Sequence, residues 1–188
     1  FSLPAVPQFV NYANAWNAAH MGDYFLNSVF VTVLSMSLLI VLVIPCSYVL
    51  TRFNFKFRNF LKLLMMAGLF INVNYIVYPI YLMINSVSKT LFGNGLLLTD
   101  NLVTVAIINA VTSIPFSIYL LSGFLTGLPK GYEEAARIDG CGYAQTWAKI
   151  IFPMARPGIM TAAILAFFNN WNEFYWASLV IVTREKLP

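Results

Sequence analysis

The spacing of charges constrains this chain most. No Asp, Glu, Lys or Arg lies between Asp23 and Arg52, between Lys62 and Lys89, or between Asp100 and Lys130, and Glu173 alone interrupts the run from Arg156 to Arg184. Crossing a hydrocarbon core about 30 Å thick takes roughly 20 apolar residues of helix. All four runs are long enough. The interior of the first, NSVFVTVLSMSLLIVLVIPCSYVL, is aliphatic on every side, unlike the one-striped surface helix of a soluble protein. The runs predict an all-α membrane protein, a bundle with spans over about 26–50, 63–86, 101–126 and 157–182. Composition agrees, since 60% of the residues are hydrophobic and 10% charged, against roughly 25% charged in a soluble domain. A signal peptide supplies one short apolar core and does not account for repeated spans.

Cytoplasmic loops of membrane proteins hold the excess of Lys and Arg. Arg52, Lys56, Arg58 and Lys62 crowd the first connection with no acid among them, and Lys130, Arg137, Lys149 and Arg156 occupy the third. Both loops are therefore expected in the cytoplasm. The second connection, with Lys89 and Asp100, and the amino-terminal stretch, with His20 and Asp23, are expected outside, where residues 86–95 (SVSKTLFGNG) read as a loop. The net charge of +4 is then a topology signal and calls for no nucleic-acid partner. Cys46 falls in a span and Cys141 in a cytoplasmic loop, so no metal quartet or disulfide is expected.

Pro45, Pro79 and Pro115 interrupt the first three spans and predict bent, packed helices. Asn72 and Asn74 in the second span, and Asn169, Asn170, Asn172 and Glu173 in the fourth, are expected to turn away from lipid. They are candidate pathway-lining residues, with interhelical hydrogen bonding as the plainer role. Glu173, flanked by Trp171 and Trp176, falls near the outer rim, where an interfacial anchor and a pathway-lining residue are both consistent with the pattern. No internal repeat or linker appears, so residues 1–188 read as a single transmembrane domain with a cytoplasmic loop over 127–156. The opening FSLPAVPQFVNYANAW, without an initiating Met, reads as part of a longer protein.

Within that loop, residues 133–153 read EEAARIDGCGYAQTWAKIIFP. Pro129 suits a first helical turn and Gly140 a left-handed stop, predicting a helix over about 129–139. Gly142 then begins a second helix that ends at Pro153. Glu133 and Arg137 stand at i and i+4 in the favourable order. Glu134 has no such base, and Ala135 and Ala136 present little side chain, a shape suited to docking against another protein.

The pattern Glu134, Ala135, Ala136, Gly140, Ile150, Pro153 resembles the cytoplasmic signature of binding-protein-dependent ABC importer permeases. Phe152 stands where Leu is usual, and Cys141-Gly142 where small residues such as Ala-Ser are common. NYANAW with YFLNSVFVT, the approach SIPFSIYLLSGFLTGLPKGYEEAARIDG and the stretch NNWNEFYWASLV resemble the carbohydrate branch of these permeases, relatives of the maltose importer's second membrane subunit. The resemblance implies six spans, one before Phe1 and one after Pro188. It implies a bacterial cell membrane location, a second homologous permease, an extracellular or periplasmic solute-binding protein, and a cytoplasmic ABC ATPase dimer. The two short coupling helices would sit in a groove of the ATPase, which would bind ATP and Mg; this chain would bind no cofactor. The substrate would be a sugar or oligosaccharide.

The chain has no GxxxxGK[ST] loop to cradle phosphates, and with one His, no HExxH and no GxSxG it offers little to a hydrolase. A transport subunit and not an enzyme is expected. The alternative, an ion-coupled secondary transporter or channel subunit, ordinarily needs ionisable groups near the midplane. Glu173, near the rim, is its one candidate.

Overall fold

The computed structural model describes residues 9–93, 98–183 and 187–188, and for residues 74, 91 and 92 the backbone alone. The described residues are helical, with no strand among them. In chain order the helices are α1 (Val10–Ala18), α2 (Met21–Arg52), α3 (Arg58–Gly68), α4 (Val73–Phe92), α5 (Leu102–Gly127), α6 (Gly131–Ile138), α7 (Tyr143–Thr146), α8 (Phe152–Trp171) and α9 (Tyr175–Val180). A π-helical turn, Trp147–Ile151, joins α7 to α8.

Three helical units are long and apolar enough to cross a membrane: α2, α5 and the continuous run Tyr143–Trp171. The first and third expected spans correspond to α2 and α5, and Pro45 and Pro115 are accommodated inside them. The expected single helix over 63–86 is instead two. After Gly68 the chain tightens into i to i−3 bonds, with Leu69, Phe70 and Ile71 donating to Met66, Ala67 and Gly68. A new helix starts where the Asn72 carbonyl accepts from the Tyr75 amide at 3.1 Å. Hydropathy counts the whole run as apolar, but Asn near a glycine offers the backbone a local alternative to helix. Helix α4 then continues to Phe92, so residues 86–92 are helical and not loop; residues 94 and 95 lie outside the described residues.

The expected fourth span, 157–182, is displaced. Its helix begins at Tyr143, runs through Pro153 and Pro157, and stops at Trp171, before a break and the short α9. Proline at 153 has no N–H to give and crowds the preceding turn. The chain responds by widening a turn instead of ending the helix: the Phe152 amide reaches back five residues to the Trp147 carbonyl.

The core lies along α2 and α5. One cluster joins Leu39, Val43 and Leu50 of α2 with Ile118, Leu121 and Leu125 of α5 and Ala155 and Ala166 of α8. A second, toward the other end, joins Val31, Val105 and Ile108 with Trp176 and Val180 of α9. Small residues set the approach of α8 to α5. A Cβ built on Gly158 would stand 2.6 Å from Cγ of Phe124, so glycine there lets the Phe124 ring of α5 lie directly against α8. Outward-facing Val33, Val41, Met160 and Ile164 are exposed, as suits helices whose surroundings are as apolar as they are.

Candidate functional site

The last residue of α2 organises the end of the bundle that carries α6. Arg52 Nη2 donates to the Leu128 carbonyl at 2.9 Å, tying α2 to the end of α5. Its Nε lies 2.8 Å from Oε1 of Glu133, with both side chains at most 10% exposed. The N–H is out of line for a hydrogen bond, so the contact is a buried ion pair. Beside it, Arg58 closes the carboxyl end of α2: Nε donates to the Leu50 carbonyl at 2.9 Å, Nη2 to that of Thr51 at 2.8 Å, and Nη1 to Oδ1 of Asn54. Helix ends leave carbonyls unpaired, and a guanidinium fork satisfies two at once.

The expected Glu133–Arg137 pair is replaced by this tertiary one. Arg137 instead lies over the Tyr143 ring, 5.0 Å from its centroid, joining α6 to α7. Tyr143 contacts Phe53, and Phe53 contacts Tyr48 edge-on, at centroid distances of 5.7 and 5.8 Å. The loop is thus fastened to α2 by an ion pair on one side and an aromatic chain on the other.

The corner between α6 and α7 has the expected form. Gly140 adopts φ +80°, a conformation L side chains rarely take. The Gly140 amide donates to the Arg137 carbonyl at 3.1 Å and the Cys141 amide to that of Ala136 at 2.9 Å, the paired bonds of a Schellman stop. Gly142 precedes α7 in extended conformation, and its carbonyl accepts from the Thr146 amide and hydroxyl.

These contacts divide the signature residues into two faces. Glu133 and Ala136 are buried, Ala136 at 2% exposure, while Glu134, Ala135 and Gly140 are exposed. Ala136 therefore serves packing inside the chain and not close approach by a partner, a correction to the sequence reading. Ile150 and Pro153 are half-buried, Ile150 against the α2–α5–α8 core. Glu134 makes no ion pair among the described residues.

At the opposite end only part of the expected polar set, Asn170, Asn172 and Glu173, converges on one cavity. Asn170 Nδ2 donates to Ser35 Oγ at 2.8 Å, a buried clamp between α8 and α2, and Ser35 Oγ donates to the Thr32 carbonyl. Asn172 Nδ2 donates to the Phe168 carbonyl at 2.8 Å. Glu173 Oε1 accepts from the Tyr175 and Trp176 amides at 2.8 and 3.2 Å, stabilising the first turn of α9. Asn170, Asn172 and Glu173 share a cavity of about 150 Å³ with Ser28, Thr32 and Asn109, whose Oδ1 is buried without a partner among the described residues. Asn169 and Asn72 are exposed and stand apart from that cavity, and the Asn74 side chain lies outside the described residues.

Sequence reasoning missed Arg52 and Arg58 as structural residues, counting them only as loop charges. It also missed Asp100, which takes φ +66° and accepts from the Val182 and Thr183 amides at 3.1 and 2.8 Å, holding the segment after α9. A signal for Arg52 existed: a base that ends an apolar helix needs an acid or carbonyls within reach.

Membrane-length helices, two of them joined by this cornered loop, define the class, an all-helical membrane protein. Residues 43–184 match the family described as "Binding-protein-dependent transport system inner membrane component", and the chain belongs to it. The permease protein NgcG of a diacetylchitobiose uptake system in Streptomyces coelicolor is 38% identical over 174 residues, covering 93% of this chain and 55% of that protein. The melibiose/raffinose/stachyose import permease protein MelC of Bacillus subtilis is 30% identical over 177 residues, covering 93% of this chain and 60% of that one. The chain thus spans little more than half the length of these relatives. A crystal structure of a bacterial ABC transporter involved in alginate import matches the fold with a TM-score of 0.83 at 24% identity, over 99% of this chain and 62% of that one.

Proposed function

We propose that this chain is the permease portion of an ATP-driven ABC importer that moves a sugar or oligosaccharide across a bacterial inner membrane. The observation that carries the reading is the division of α6: Glu133 and Ala136 are turned into the bundle while Glu134 and Ala135 are left on the open face. A helix fastened on one side and presenting an unpaired acid on the other suits a cytoplasmic ATPase dimer that docks there and binds ATP and Mg. A second permease subunit would complete the pathway, and an external solute-binding protein would deliver the substrate. Residues 1–188 form one permease domain in this reading, with the α6 end facing the cytoplasm. The sugar-import relatives support the substrate class.

Glu173 counts against the ion-coupled alternative. The acid on which that reading depends is engaged with the first amides of α9. Asn170 likewise serves as a clamp, so a direct pathway role falls to Asn109 and Asn172 at the shared cavity. Full-length protein reconstituted with its ATPase, sister permease and binding protein should take up a labelled oligosaccharide only with ATP and loaded binding protein. Uptake driven by an ion gradient without ATP would refute the assignment.

A further inference from the structure

A groove of about 430 Å³ runs between α3 and α5 at the α6 end of the bundle, with Met65, Met66, Ile118, Tyr119 and Phe124 among its walls. Its lining is mainly apolar, and besides the Tyr119 phenol it carries three polar side chains. Lys62 stands at one side and makes no ion pair among the described residues. Thr126 donates to the Ser122 carbonyl at 2.7 Å. The Ser122 hydroxyl itself is buried with no partner among the described residues. Arg58, one turn before Lys62, is fully engaged on the end of α2. Lys62 is therefore the cation left for the groove.

We propose that this groove holds one anionic phospholipid of the cytoplasmic leaflet. An acyl chain lies along the apolar walls, and the phosphate meets the Lys62 ammonium. Charge favours this occupant over a neutral lipid: the connection 52–62 holds four bases and no acid, and anionic headgroups concentrate beside such segments. The acyl chain explains an apolar cleft at membrane depth, and the headgroup explains a cation without an ion-pair partner beside it among the described residues. The inference rests on the sidedness in the proposed function. A Cβ added at Gly123, which lines the groove, meets nothing within 4 Å, so the first carbon of a larger side chain is accommodated there.

The test uses the full-length protein in its assembled complex, titrated with phosphatidylglycerol and with phosphatidylcholine, and native mass spectrometry to count retained lipids. Wild type should retain phosphatidylglycerol about fivefold better, the scale of one base beside an anionic headgroup. Lys62→Gln should abolish that preference, and Gly123→Leu should abolish retention of either lipid at this site with assembly intact. Equal retention of the two lipids, or an unchanged preference in both Lys62→Gln and Gly123→Leu, would overturn the proposal. So would loss of the sister permease on Gly123→Leu, which would mark the groove as a subunit contact. Labelling of Lys62→Cys from each side separates the failures: modification from outside overturns the sidedness and the lipid proposal with it, whereas modification from the cytoplasm with no lipid preference overturns the lipid proposal alone.

Discussion

The two ends of the bundle are secured by different devices. At the α6 end, Arg52 and Glu133 come from elements far apart in the chain and form a buried ion pair, reinforced by an arginine on helix carbonyls and a run of aromatic contacts. At the α9 end, Glu173 and Asp100 each satisfy backbone amides, those of α9 and of the segment just after it. A carboxylate on backbone amides stabilises a local turn. A buried charge pair makes separate helices move as one piece, because parting them leaves a charge unpaired in the interior. The first end ties separate helices together and the second fixes local turns.

That contrast is open to breakage by mutation. The largest loss of stability is expected for Glu133→Ala, which strands Arg52: about 3 to 5 kcal/mol, read as a fall in thermal midpoint of the purified full-length protein. A paired Arg52→Met, Glu133→Met variant should recover most of that loss, since apolar replacement of both partners is often neutral. If Glu133→Ala and Glu173→Ala lower the midpoint equally, the two ends do not differ as described.

Between them in size falls Gly158→Val, which drives a side chain into Phe124 and should lose about 1 to 3 kcal/mol by overpacking. Indifference to it would show that α8 and α5 can separate freely. Glu173→Ala should lose about 1 kcal/mol, the scale of a helix cap, with the rest of the bundle unmoved. Hydrogen exchange should then rise at Tyr175 and Trp176 and stay unchanged in α6.

How much of this could be read from the sequence depended on range. Helices α2 and α5 were legible because a long charge-free run specifies a helix by itself. The Gly140 corner was legible because only a left-handed residue closes a helix in that way, and Gly does so without strain. The division of the second span was not, since a four-residue turn over 69–72 leaves the average hydropathy of the run unchanged. Pro153 misled in the other direction: a π turn absorbed it, and the helix continued. The partner of Glu133 was invisible for a different reason. Helical spacing offers Arg137 as a neighbour, but Arg52, brought in by the packing of α2 on α5, offers an opposite charge in a site from which water is excluded. Local rules name the candidate within reach, while tertiary packing supplies the stronger one.

The central claim is that adjacent glutamates do opposite work, Glu133 holding the chain together and Glu134 meeting another protein. The most direct measurement is ATPase stimulation by loaded binding protein in an assembled complex carrying Glu134→Lys, alongside its thermal midpoint. The account predicts an unchanged midpoint, because the side chain is exposed and unpaired, with stimulation lost. Full stimulation with Glu134→Lys, or a fall in midpoint as large as that of Glu133→Ala, would contradict it.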